Sequence, residues 1–570
     1  MKPDHRFLDD LNDTSNRIAP ALVSADPDAE SWDTACDVLV VGVGFAGVCA
    51  ALRTAEDRNL DVIAIDRGPG GGASKQSGGV VYMGGGTKAQ KELGLEDTPE
   101  NLANYLAMET GNMVQAETLR RFSQASPTFQ PWLEKYGARF GGPVTDDKTS
   151  YPNDASLYFS GNEVTLPGRE RATPVQRGHR AKPSKGGEPK KLSGHYLLPP
   201  LIESLKAQPN ARFLPHTRAT RLVVDKDGAV VGIEVLRIPS SFAAWRHAKL
   251  MEMNSNFIFA ALGFGARISK SILALEAKAK PMRIRVRKGV VLSAGGFIYN
   301  RTMVEKLAPD YLPVAPLGTI GDDGSGIKLG MTVGAKVDSL ERISAWKFLY
   351  PPAAYCKTVS IDGNGDRLVN EEFYGARTGE AVFGNAKGKA WLVQDEPLRA
   401  EIEREIGTLK KMFFQKVQFK AMLGEYTTSA DTLAELAGKI GVPAASLERT
   451  IAEYNRRIDA GETDALQKSP KMCQKIGQGP FHATAIGAGL KLSPTSAITV
   501  GGLVVDEETG EVLSSEGGKV KGLYAAGRTA VGICSHYYVS GLSLGDCVWS
   551  GLRAAETIKG NGGSAALIAG

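Results

Sequence analysis

At 570 residues the chain is too long for a single hydrophobic core, so two or three domains are expected. With 42% hydrophobic and 23% charged residues and 66 glycines it reads as a soluble globular protein rich in tight turns. A formal charge of +5 is small for this length and gives no reason to expect nucleic acid, while the six scattered cysteines and seven widely spaced histidines offer neither a disulfide framework nor a metal site.

Residues 1–32 are polar and mixed in charge, an N-terminal arm without the pattern of a signal peptide. No run reaches roughly 18 apolar residues, so no membrane span is expected and a cytoplasmic location is the default. At Cys36 the pattern changes to buried strand, glycine turn, helix and second buried strand. Gly42, Gly44 and Gly47 form G-x-G-x-x-G directly after the first strand, with Phe45 and Ala46 inside the motif, and Asp66 ends the second strand. That context is the one a dinucleotide needs: a tight turn, close backbone approach to a pyrophosphate, and an acid for ribose hydroxyls.

Arg67 and a glycine-rich run follow. Gly72, Ala73, Ser74, Ser77, Gly78 and Gly79 are suited to wrapping further phosphate oxygens and meeting a flat ring edge-on; a flexible surface linker is the alternative. Residues 88–140 have helical periodicity, with a helix start at Asp97-Thr-Pro-Glu. The segment 149–164 carries Tyr151 and Tyr158. The basic stretch 174–195 reads as a solvated loop or as a contact for an acidic surface or membrane.

Residues 210–237 read as a β-meander that breaks off at Ile238 and resumes at 283–291. The insertion between them, 238–282, is helical in period with basic flanks. Its apolar part, 257–266, suits a membrane interface, a subunit contact or core packing; membrane-surface contact would run through 241–280, making the protein peripheral to a membrane. Ala294 and Gly295 lie in a small-residue turn after the next strand. A Gly/Asp turn including Asp323 opens a helix in 318–336. Two amphipathic helices in 432–461 are split at Gly441. From Pro480 the chain returns to β structure and leads through Gly527 and Arg528 to Tyr537, Tyr538, Ser540 and a glycine-marked helix start at Gly541–Ser543. A helix N-terminus offers free N–H groups and partial positive charge to an anionic ligand.

The motifs GVGFAG, GGASKQSGG, VVLSAGGF, GDDGSGI, GDRLVNEEFY, GLYAAGR and SGLSLGD, in this order, resemble the fumarate reductase/3-ketosteroid dehydrogenase group of flavoproteins over residues 36–560. The resemblance implies an α/β protein: a Rossmann-like FAD-binding domain built from both ends of the chain (33–300, with the insertion 238–282, and 478–570) and an inserted α+β catalytic or capping domain (301–477). It extends the cofactor contacts to Ala219, Ser543 and Leu544. FAD would be non-covalent, because no histidine lies in 70–79.

Departures narrow the substrate. Dicarboxylate reductases of the group carry a histidine where this chain has Ile498, and a glutamate where it has Arg528. The tyrosines and Ser540 resemble instead the ketosteroid dehydrogenases, which implies a hydrophobic steroid-like substrate and an external electron acceptor such as a quinone. Tyr538-Val-Ser540-Gly541 matches the Tyr-x-Ser-Gly of enzymes that desaturate the 4,5 bond. Tyr537 and Gly541 match only the ends of the 1-dehydrogenases' Tyr-Pro-Gly-x-Gly. In the first alignment Tyr538 and a backbone N–H near Gly541 hold the 3-keto oxygen, Ser540 takes the carbon-4 proton with help from Tyr374, and a hydride leaves for flavin N5. In the second, Tyr537 holds the ketone and Tyr374 is the base. Tyr158 is a further site hydroxyl. Aromatic core packing is the bland reading of the same tyrosines. A flavin-binding redox partner without a small substrate, or an ene-reductase of another enone, would use the same cofactor motifs.

Overall fold

The computed structural model describes residues 11, 17–149, 155–183, 191–255, 265–409 and 413–568. About half of the N-terminal arm, Tyr151, part of the basic stretch and nearly all of the apolar 257–266 segment lie outside the described residues.

A nine-stranded sheet organises the cofactor half. Its strands are β1 (Leu22–Val23), β2 (Thr34–Val41), β3 (Val62–Ile65), β4 (Ala211–Leu214), β5 (Thr217–Val224), β6 (Val230–Arg237), β7 (Lys280–Leu292), β8 (Glu511–Leu513) and β9 (Lys519–Ala525). The hydrogen-bonded path runs β1-β5-β6-β7-β2-β3-β4, with β9 on β7 and β8 on β9. Strands from both ends of the chain therefore share one sheet. β2 and β3 alternate between two cores: Val38, Val40, Val62 and Ala64 pack on one face, Leu39, Val41, Ile63 and Ile65 on the other. Burial on both faces is what a parallel layer covered by helices requires. The covering helices α1 (Phe45–Ala55) and α4 (Leu542–Ile558) are buried along nearly their whole length.

The expected meander over 210–237 divides. β5 and β6 form an antiparallel hairpin, but β4 pairs in parallel with β3 at the far edge. Only Pro215 and His216 join β4 to β5, and two residues span little distance. The β5–β6 hairpin must therefore fold back towards the parallel layer, and His216 takes φ +56° to make the corner. The backbone N–H of Thr217 donates to the carbonyl of Asp66 at 2.7 Å, which places the start of β5 beside the end of β3. The insertion contains α2 (Ser241–Asn254) and α3 (Gly265–Glu276), after which β7 pairs with β6 from Lys280 onward.

In the middle of the chain, strands Val359–Asp362, Ala390–Asp395, Thr427–Ala430 and Phe481–Ala485 form a second sheet. Strand Ser496–Thr499 pairs with Ala315–Pro316 and Ile343–Trp346. Residues 481–499 thus pair with strands of the middle of the chain. The helices at 433–440 and 444–459 are separated by Gly441 in a left-handed conformation, as expected.

Candidate active site

The turn after β2 shapes one wall of a deep cleft. Gly42 has φ +96°, and a side chain there would meet Ala294 Cα at 2.6 Å; one on Gly47 would meet the Gly42 carbonyl at 1.9 Å. Only glycine lets strand, turn and helix close to this distance. The cleft is open to solvent on one side, and about 1190 Å³ of non-atom space, open solvent included, lies within its walls. Gly42, Gly44, Phe45, Ala46, Asp66, Arg67, Gly72, Ala73, Ser74, Ala219, Ala294, Gly295, Gly527, Arg528 and Ser543 line it. Fifteen of the expected cofactor positions, from five separate parts of the chain, converge there.

The other expected positions stand behind the wall. Ser77 donates to the Ser74 carbonyl and accepts from Gly79, so 77–79 brace the glycine-rich turn, with Gly78 between them. The N–H of Leu544 is spent inside the helix on the Gly541 carbonyl. Asp323 ion-pairs with Arg67 at 2.7 Å, and its neighbour Asp322 faces the cleft instead. Sequence reasoning missed Asp322, Thr217, Met251 and Ser255. Of these, only Asp322 had a signal, in the Gly/Asp turn.

The donors fit a dinucleotide. Asp66 is half-buried and accepts from the N–H groups of Val43 (2.8 Å) and Gly68 (2.7 Å); desolvation still raises its pKa above the ordinary value. Arg528 is tied to Asp322 through Nη2 at 2.7 Å, while its Nη1 is buried at the cleft wall without a hydrogen-bond partner. An orphaned guanidinium nitrogen beside an open cradle of glycines and a helix N-terminus is a donor set for an anionic, flat group.

At the far end of this cleft α4 begins. Gly541 has φ +90°, and its carbonyl accepts from the Tyr82 N–H at 3.0 Å. Ser540 is fixed through its backbone: its N–H donates to the Ser160 carbonyl (3.1 Å), and its own carbonyl accepts from Ser160 Oγ (3.0 Å). Tyr538 is buried and stacks on Trp346 with ring centroids 4.9 Å apart. The Tyr374 ring is 6.3 Å from that of Tyr538, and Phe348 meets Tyr374 edge-on at 5.4 Å. Tyr374 sits at the start of a short helix, its N–H donating to Asn162 Oδ1 at 2.6 Å.

Burial drives the Tyr538 phenol well above its ordinary pKa, and the backbone at Gly541 offsets only part of the rise. The group therefore stays protonated and able to donate. Tyr158 is pushed up to about 12, again by burial. Its Oη makes no well-formed hydrogen bond, although the Ser540 side chain lies close enough to lower its pKa somewhat.

Tyr537 is oriented differently. Its N–H donates to the Glu109 carbonyl, and the Arg377 guanidinium lies 4.1 Å from its ring centroid. Together with Tyr538 it borders a second cavity of about 630 Å³ whose polar lining includes Arg342, Glu341, Glu380 and His536. Among the described residues no cluster of His, Cys, Asp or Glu could hold a metal ion, and no helix is long and apolar enough to cross a membrane.

The family described as FAD binding domain matches residues 37–544. A 3-oxo-5-alpha-steroid 4-dehydrogenase of Comamonas testosteroni is 34% identical, the match covering 90% of this chain and 96% of that protein. A 3-oxosteroid 1-dehydrogenase of Mycobacterium tuberculosis is 26% identical over 92% of this chain and 99% of its own length. Among solved structures, a 3-ketosteroid-delta4-(5alpha)-dehydrogenase of Rhodococcus jostii in complex with 4-androstene-3,17-dione superposes with a TM-score of 0.76 at 28% identity, covering 95% of this chain and 99% of that one. This chain belongs to the FAD-binding fumarate reductase/3-ketosteroid dehydrogenase family and is an FAD-dependent oxidoreductase like the ketosteroid dehydrogenases.

Proposed function

We propose that the protein desaturates a 3-ketosteroid between carbons 4 and 5. The observation that carries this reading is the setting of Tyr538. Its ring lies among Trp346 and Tyr374 where α4 begins, whereas the ring of Tyr537 lies under Arg377. The contact between the Tyr538 and Tyr374 rings supports the first alignment. The similarity to a named 4-dehydrogenase points the same way.

FAD, when bound, supplies the two-electron acceptor that desaturation requires. The chain's own work is to handle the ketone and the proton. Tyr538, kept protonated by burial, donates to the 3-keto oxygen and stabilises the enolate charge that develops as carbon 4 loses its proton. Ser540 receives that proton. A serine hydroxyl is too weak an acid to be ionised unaided, so Tyr374 relays the proton away. The rings of Trp346 and Phe348 flank those of Tyr538 and Tyr374.

The test is an anaerobic titration of the purified yellow protein with a 5α-saturated 3-ketosteroid, following the oxidised-flavin band. Bleaching with formation of a 4-ene product is the expected result. Bleaching only with a 4-ene-3-ketosteroid, giving the 1,4-diene, would move the reading to the 1-dehydrogenases. Flavin reduced by a protein donor but by neither steroid would make the chain a redox partner.

We also infer contact with an anionic membrane surface through α2. Phe242 (69% exposed) and Trp245 (59%) stack on its outer face, beside exposed Arg246 and Lys249. An aromatic pair set among cations suits a membrane interface.

A further inference from the structure

The insertion is not needed to close the sheet. β6 and β7 pair directly, Arg237 opposite Lys280, so a short turn would suffice where α2 and α3 stand. What the two helices do is visible on their inner face. Met251, Ile268 and Ile272 form a small apolar cluster of their own, packed against Leu250 and against Ile320 from the Gly/Asp turn beside the cleft. Met251 Cε lies 3.1 Å from the position a Gly68 side chain would take, two residues after the ribose acid Asp66. Met251, Glu252 and Ser255 line the cofactor cleft.

A buried polar chain fixes the hairpin there. Arg67 grips both oxygens of Glu276 on α3 (2.8 and 2.9 Å) and reaches Asp323 at 2.7 Å. Glu276 accepts from His247 Nε2 on α2 (3.2 Å), and His247 Nδ1 meets His216 Nδ1 at 2.9 Å. With both imidazoles neutral, one tautomer set satisfies the chain: His216 donates to His247, which donates to Glu276. His216 is the residue whose backbone makes the corner between β4 and β5. One network thus joins the end of β3, that corner, both inserted helices and the Gly/Asp turn.

We propose that the α2–α3 hairpin is the outer wall of the adenosine half of the FAD site, with Met251 as its apolar contact and the Arg67–Glu276–His247–His216 chain as its latch. The assignment to the adenosine half follows from Asp66, the acid of the dinucleotide turn, whose Oδ1 lies 3.4 Å from the same Gly68 position that Met251 Cε approaches. Met251 contributes by covering apolar surface that would otherwise face water. The latch residues act by position.

The test uses the full chain, stripped of FAD and re-titrated by flavin fluorescence, with ADP as a competitor that carries only the adenosine half. Met251→Ala, which leaves the latch intact, should weaken FAD binding at least ~10-fold and weaken ADP competition in parallel. Glu276→Gln should speed FAD dissociation. Lys270→Ser, exposed on α3, should leave both constants at the wild-type value. Unchanged FAD affinity in Met251→Ala would overturn the proposal, whether or not Glu276→Gln folds. So would weaker FAD binding with undiminished ADP competition, because the effect would then lie at the other end of the cleft.

Discussion

The residue with most riding on it is Tyr538. Its position combines three things that local sequence does not supply together: burial that keeps the phenol protonated, an aromatic neighbour on its face, and the start of α4 beside it. Tyr538→Phe keeps the ring, and hence the stacking on Trp346, while removing the donor. FAD content and melting temperature should stay at the wild-type level, while turnover of a 5α-saturated 3-ketosteroid falls by about two orders of magnitude or more, the scale of losing one oxyanion donor. Steady-state kinetics beside the flavin spectrum checks both halves of this expectation. Wild-type turnover in that variant would remove Tyr538 from the chemistry. The same tyrosines show how far sequence reaches at this scale. Tyr537 and Tyr538 are adjacent and chemically identical, so spacing to Gly541 left both open. The choice depends on Arg377 and Trp346, contributed by segments 160 or more residues away in the chain.

Among the elements, α2 presents two faces with different chemistry. His247 and Met251 point inward and are buried; Phe242 and Trp245 point outward and are exposed. Spacings of four residues on the inner face and three on the outer are ordinary helical geometry, but the periodicity alone could not say which face met protein. The outward face makes a prediction of its own. Replacing Phe242 and Trp245 together by serine should abolish co-sedimentation with vesicles containing anionic lipid, without changing FAD content. Equal sedimentation of variant and wild type would end the membrane reading. Elements set by short-range rules were legible in advance. The strand-turn-helix around Gly42, the cap at Thr98 before Pro99 and the break at Gly441 each rest on a residue whose own backbone preference decides the outcome. The strand 211–214 was not legible as a partner of β3. Its side chains suit either neighbour, and the selection came from the corner at His216.

Across the whole molecule, segments far apart in the chain are tied together by buried charges. Asp97 pairs with Arg177 with both side chains fully buried, Glu371 with Lys468 likewise, and Glu276 with Arg67 at about one-tenth exposure. Burial alone would raise all three carboxyls. Arg177, Lys468 with Arg367, and Arg67 with His247 outweigh it and hold each below its ordinary value, Glu276 at about 2. A carboxyl whose folded pKa is depressed stabilises the fold above its unfolded value, and that contribution is lost as pH falls through the folded one. Melting temperature should therefore be flat with respect to these groups above about pH 5 and drop steeply below about pH 4. A differential scanning series across pH 3–8 checks it, and Glu276→Gln should lose part of the acid-side slope. A curve unchanged down to pH 3 would show that the pairs contribute nothing to stability.

The amino-acid sequence by itself determined the FAD-binding fold, the turn that meets the cofactor and the helix start carrying Tyr538 and Ser540. Each is encoded within a few residues by glycines that alone tolerate the backbone, or by strand and helix periods next to them. Tertiary structure alone decided which tyrosine ring meets that of Tyr374, where Asp323 spends its charge, and that an inserted helix lines the cleft. Those outcomes depend on burial and charge pairing between segments far apart in the chain, and no local preference carries that information.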